Sequence, residues 1–177
     1  MGKMLELAIC DIRSTKGFRK GYDKIIIFFD LDVYRENVGL VRSLIHDYEK
    51  KDVVFVYTNP AIELFLLLTL PNSFETLTQE EKEGILKNDW VDCGGERVRF
   101  VHKLLIEKSQ VNPKHKGYDV SAFSKGFHHA INQENLYLST KLEDLERKLI
   151  SNFGDVFSKI EANDFEHFEY DLGKYGL

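Results

Sequence analysis

Residues 25–32 read Ile25-Ile26-Ile27-Phe28-Phe29-Asp30-Leu31-Asp32, five consecutive apolar residues running into a pair of carboxylates. All five are β-branched or aromatic. A short continuous run of that kind suits a strand buried on both faces, as in a parallel sheet. Downstream, Val38, Val41, Leu44, Ile45 and Tyr48 recur at spacings of three and four, which predicts a helix over residues 36–51. Residues 53–57 (VVFVY) repeat the buried-strand pattern, Thr58-Asn59-Pro60 ends it, and an apolar helix is predicted over 61–70 with Pro60 at its first position and Asn59 as its cap. Strand, helix, strand, helix is the signature of an α/β layer on a parallel sheet.

Outward from this centre the pattern is less regular. Residues 4–12 (MLELAICDI) read as a further strand. Residues 13–24 read as a basic loop, with Arg13, Lys16, Arg19, Lys20 and Lys24 against the single acid Asp23. A short charged helix is expected over 78–88, a Gly-Gly turn within 91–95, and a helix over 97–108 from Val98, Val101, Leu104 and Leu105. Residues 110–119 read as a polar loop. Residues 120–132 and 138–160 read as helices, the second broken near Gly154. In the tail, residues 161–177, Phe165, Phe168, Leu172 and Tyr175 are interleaved with five acids, a pattern for a final amphipathic helix packed on the sheet, or for a segment that docks a partner or mimics nucleic acid. The chain of 177 residues is expected to be one domain, with the sheet in residues 1–72 and a mainly helical completion in 73–177.

Composition narrows the function. Acids number 29 and bases 24, leaving −5, so a generally basic coat for nucleic acid is excluded while a local basic patch is not. Two cysteines, Cys10 and Cys93, are too few for a Cys-only zinc site and suggest a reducing compartment. The N-terminal residues have no apolar core of a secretory signal, and the apolar stretch 61–70, interrupted by Glu63, is about half of a membrane span. The expectation is a cytoplasmic protein without a membrane partner. No phosphate-loop or dinucleotide-binding glycine pattern occurs.

The chemistry is read from acids. Residues i and i+2 of a strand share a side, so Asp30 and Asp32 would point together at the carboxyl edge of the sheet, where open α/β folds bind ligands. Paired carboxylates repel unless a cation or proton intervenes, and hard oxygen donors suit Mg²⁺ or Mn²⁺. The plainer alternative is a solvated turn with capping aspartates. Glu63 lies in a helix that is apolar almost all round, where a carboxylate is costly unless paired, metal-bound or aimed at a cleft. Stabilisation by helix N-terminal amides is its plainer alternative. The two strand ends could thus gather Asp30, Asp32 and Glu63. The bases of 97–125 (seven, against two acids) and of 13–24 could form two basic lips around that centre, or simply solvated faces. His128 and His129 diverge on a helix and read as ordinary surface. His46, His102, His115 and His167 are isolated in sequence.

The stretches IIIFFDLD at 25–32 and YTNPAIELFLLL at 57–68 resemble the RloB-like family, TOPRIM-fold proteins of bacterial restriction and abortive-infection loci. The resemblance covers roughly residues 5–160. It implies a doubly wound, mostly parallel α/β sheet with flanking helices and a helical C-terminal part, binding Mg²⁺ (or Mn²⁺) for nucleic-acid strand breakage. Asp30 and Asp32 correspond to the family's metal-binding pair, with Glu63 and Asn59 as the signature beside it. Asn59, together with Arg13, Lys16, Arg19, Lys20, Lys114 and Lys116 of the two basic lips, would contact substrate, DNA or RNA, tRNA included. An ATPase partner in defence is usual for such families. The family's opening strand and Glu-Gly turn have no counterpart before Asp30. Two functions follow: a metal-dependent nuclease, or a shortened inactive module whose exposed sheet edge pairs with a second copy or a defence partner.

Overall fold

The computed structural model describes residues 2–20, 22–32, 37–48, 52–114 and 121–162. The chain is α/β. Helix α1 (Gly2–Ser14) leads through a turn to strand β1 (Ile25–Asp30), helix α2 (Val38–Tyr48), strand β2 (Val53–Asn59) and helix α3 (Ile62–Leu68). Helix α4 (Gln79–Lys87) precedes a hairpin of β3 (Trp90–Cys93) and β4 (Glu96–Arg99), and then come helices α5 (Phe100–Ser109), α6 (Ser121–Ser124) and α7 (Phe127–Tyr137). A 3₁₀ turn at Leu142–Asp144, the short strand β5 (Ile150–Ser151) and helix α8 (Phe153–Glu161) complete the described chain.

The main sheet has the order β1-β2-β5. β1 and β2 are parallel in the register Ile25↔Val53 to Asp30↔Thr58, and β5 is antiparallel to β2. β2 is buried along its whole length, and its side chains divide by parity. Val54 and Val56 face a core built with α3, α5, α7 and α8; Val53, Phe55 and Tyr57 face a second core with Ile9 of α1 and Val41, Leu44, Ile45 and Tyr48 of α2. The sheet is therefore covered on both faces, which is why β1 and β2 read as unbroken apolar runs.

Several expectations change. Residues 4–12 form helix, not strand: Leu5 and Ile9, four apart, meet the core while Met4, Leu7 and Ile12 stay exposed, and the run is made of helix-favouring Met, Leu, Glu and Ala. The sheet is mixed and small, with one parallel pair. It is not confined to residues 1–72, since β5 returns to β2 from residues 150–151. Residues 97–99 belong to the hairpin, and helix α5 starts only at Phe100. The hairpin turns on Gly94 (φ 65°) and Gly95 (φ 89°), the paired left-handed positions that glycine allows.

Residues 120–132 are split at Gly126, where an added Cβ would lie 2.0 Å from the carbonyl oxygen of Thr69. Residues 138–160 are not one helix, and Gly154 lies inside α8 rather than at a break. Backbone groups that a helix would need are taken by asparagines. Asn59 Nδ2 donates to the carbonyls of Leu145 (2.9 Å) and Lys148 (3.1 Å), so Asn59 is not the cap of α3. Asn152 accepts from Tyr57 N–H (2.8 Å) and donates to Phe55 O (2.9 Å), continuing the β2 edge with a side chain. Residues 163–177, Lys116, His115 and His167 lie outside the described residues.

Candidate acid cluster at the carboxyl ends of β1 and β2

Parallel pairing puts the carboxyl ends of β1 and β2 side by side, so Asp30 ends beside the start of α3. Asp30 Oδ1 accepts the backbone N–H of Ile62 at 2.9 Å. Its carboxylate thus caps α3 from a neighbouring strand, a bond that Ala61 at the N-cap position cannot make. Burial pushes the Asp30 carboxyl above the usual carboxylate range, and the nearby charges of Glu63 and Asp32 add to the rise. Asp32, in the turn just after the strand, donates its backbone N–H to the carbonyl of Pro60 (3.2 Å) and accepts from Asn88 Nδ2 (3.3 Å).

Glu63, in the first turn of α3, is 5% exposed. Its Oε1 meets Lys114 Nζ at 2.9 Å and His102 Nδ1 at 3.1 Å. Burial alone would raise this carboxyl; the Lys114 ammonium, the residue's own backbone N–H and His102 outweigh it and hold it below its ordinary value. An ionised carboxylate only accepts, so the proton shared with His102 sits on Nδ1. His102 is 1% exposed, on the core face of α5. Lys114 is different: two-thirds of its side chain is exposed (66%), so it reaches the buried acid as an arm from the surface.

The cluster is thus three carboxylates from two stretches of chain, one buried imidazole and one solvent-exposed ammonium. The carboxylate oxygens of Asp30, Asp32 and Glu63 are hard donors of the kind Mg²⁺ takes. Among the described residues no three His, Cys, Asp or Glu side chains converge closely enough to hold a metal ion.

The other sequence candidates fall elsewhere. Arg13 ends α1, and the turn carrying Lys16, Arg19 and Lys20 enters β1 at its amino end, where Lys24 pairs with Asp52 at 3.6 Å. Arg19 binds Asp23 in the same turn (N–H to carboxylate, 2.6 Å). A cavity of about 490 Å³ there is lined by Ile12, Lys16, Phe18 and Lys24. Five residues of strand, about 17 Å, separate that end from Asp30. The first basic lip therefore does not border the acids. Of the second, Lys114 reaches them, while Lys103 and Lys108 pair with Glu107 and Glu81. Asn59 serves the fold. His102 and Asn88 were missed as site residues. His102 carries the same signal as Glu63, a polar residue on an apolar helix face, and each is the other's partner; nothing in linear spacing links Asn88 to Asp32.

Compared with known proteins, the chain matches no family model, no curated protein and no solved structure. No described helix is long and apolar enough to cross a membrane.

Proposed function

We propose that the Asp30–Asp32–Glu63 cluster holds Mg²⁺ or Mn²⁺ and that the chain cleaves nucleic-acid phosphodiesters, as a TOPRIM-type nuclease or nuclease-like subunit of bacterial anti-phage defence in the cytoplasm. The observation that carries this reading is that Asp30, Asp32 and Glu63 stand at the carboxyl ends of two parallel strands, near enough for the charges of Glu63 and Asp32 to raise Asp30, though the three do not converge on one point. Repulsion among them is relieved here by Lys114, an exposed side chain whose place beside Glu63 a bound cation would take. The ion, when bound, supplies the positive charge that steadies the attacking and leaving oxygens of a phosphodiester. Asp30, Asp32 and Glu63 would hold it, His102 keeps Glu63 oriented, and Lys114, once released, is placed to meet a substrate phosphate. An ATPase partner, usual for the families that the chain resembles, belongs to the same proposal, and the lack of a phosphate-loop motif in the sequence agrees with it.

The test is Mn²⁺ and Mg²⁺ calorimetry on the wild type, Asp30→Asn and Asp32→Asn, followed by metal-dependent cleavage of DNA and RNA, tRNA included. Asparagine at 30 keeps an oxygen for Ile62 N–H, so α3 stays capped while the charge goes. Loss of at least about tenfold in affinity in either variant is expected. No heat from the wild type at millimolar metal, or equal binding by both variants, ends the reading.

A second reading has its own observation. β1 is the outer strand of its sheet among the described residues, and Phe28 on it is 51% exposed. An inactive binding module that pairs through this edge, with a second copy or a defence partner, uses that feature. Light scattering of the purified chain reads it directly: a dimer mass that Phe28→Lys converts to monomer supports it, and a monomer at every concentration removes the homodimer.

A further inference from the structure

The β3–β4 hairpin carries a second feature beside the acid cluster. Register pairs Trp90 with Arg99 and Asp92 with Arg97, so these four side chains share one face of the hairpin, two guanidinium groups against one carboxylate. The Arg99 guanidinium lies 4.6 Å from the centre of the Trp90 ring, yet the tryptophan remains 53% exposed. Arg97 is exposed on the same face and makes no ion pair among the described residues. A half-exposed flat ring with one guanidinium against it and a second on the same face is the chemistry that stacks a nucleobase and neutralises its flanking phosphates. The hairpin is also fastened to the acid cluster. Arg99 donates to the Asn88 carbonyl at 3.1 Å, Val101 N–H donates to Asn88 Oδ1 at 3.1 Å, and Asn88 Nδ2 donates to Asp32. One residue therefore fixes the platform relative to the acids.

We infer that Trp90, Arg97 and Arg99 form a stacking platform for single-stranded nucleic acid that leads a strand toward Asp30, Asp32 and Glu63. The inference rests on the reading above only in its choice of nucleic acid as the molecule handled. Bases present a ring face whatever their identity, so the platform selects single strands over duplexes and has little sequence preference. Duplex bases are already stacked and offer the ring no face.

Trp90 is the only tryptophan in the chain, so its emission reports this surface alone. The experiment titrates the full chain with twelve-nucleotide oligo-dT, oligo-U and a DNA duplex in EDTA, following tryptophan emission and the anisotropy of a labelled oligonucleotide. Expected are saturable quenching by both single strands, weaker binding of the duplex, and about tenfold weaker binding by Trp90→Ala. Arg97→Ala, at an exposed position, is expected to weaken binding of every oligonucleotide and to reduce the salt slope by about one. Thermal melting checks that both variants fold, and the wild-type quenching stands without either. Unchanged emission at saturating oligonucleotide, wild-type affinity in both variants, or no binding at low salt overturns the platform. EDTA keeps the two proposals apart: oligonucleotide quenching with no metal binding sinks the nuclease reading alone, and metal binding with no quenching sinks the platform alone.

Discussion

Glu63 shows how one residue can be legible as a problem and silent about its solution. A carboxylate among Leu64, Phe65, Leu67 and Leu68 announces that something must balance it. The balance comes from His102 and Lys114, 39 and 51 positions away, and no spacing rule reaches that far. The two partners are not equivalent. His102 is buried and fixed, whereas Lys114 is mostly in water, so its attraction is screened. We expect Lys114→Met to cost only about 1 kcal/mol at neutral pH in urea unfolding. Its effect on pH dependence is more diagnostic. Glu63 titrates below its ordinary value in the folded chain, so its contribution is present above the unfolded carboxylate range and is lost as pH falls through the folded value. Removing Lys114 raises the folded value and takes away part of this acid-side loss. Stability profiles of wild type and variant should converge toward low pH; parallel profiles would mean that Lys114 does not hold Glu63 ionised.

At the scale of elements, what read correctly and what did not follow one rule. β1, β2, α2, α3 and α4 are set by local patterns: unbroken β-branched and aromatic runs, three-and-four spacing, and for α4 a Thr78–Glu81 capping box. The segment 138–160 keeps a helix-like apolar rhythm but spends backbone groups on distant side chains, the carbonyls of Leu145 and Lys148 on Asn59 and the amide of Gly154 on Glu134, which sequence periodicity cannot register. Its anchor is Glu134 of α7. The buried carboxylate accepts from Gly154 N–H (2.8 Å), Asp155 N–H (3.3 Å) and the Ser151 hydroxyl, capping α8 and pinning β5 together. Burial raises its pKa, so between the unfolded carboxylate range and the raised folded value the folded chain holds the extra proton. Stability falls as pH rises through that window. Glu134→Gln keeps an oxygen for both backbone amides and donates to Ser151 instead. It should abolish that slope with little change in stability at its acid end. Glu134→Ala strands two amide donors and should cost about 2–3 kcal/mol at any pH. Chemical denaturation across pH 4–8 distinguishes the two, and a glutamine variant as unstable as alanine would refute the capping account.

For the whole molecule, the decisive fact is that β2 belongs to both cores. Val56 packs with α3, α7 and α8 on one side; Phe55, one residue earlier, packs with Tyr48 and Phe29 on the other. Neither layer can melt while the other keeps its strand, so the chain should unfold as one unit although its sheet is only three strands wide. The hairpin joins the same unit through Asn88 and the packing of α5 against α3. Phe55→Ala empties a site that is 1% exposed and should cost about 3–5 kcal/mol. That is a large part of the 5–15 kcal/mol that holds an ordinary domain together. If β2 is shared in this way, the variant lowers the melting of both layers equally. Far-UV circular dichroism, which reports mainly the helices, and the emission of Trp90, which reports the hairpin, then keep coincident midpoints in wild type and variant. A split into two transitions, with the α2 side melting first and Trp90 unmoved, would show that the two cores are separable and that β2 does not bind them into one fold.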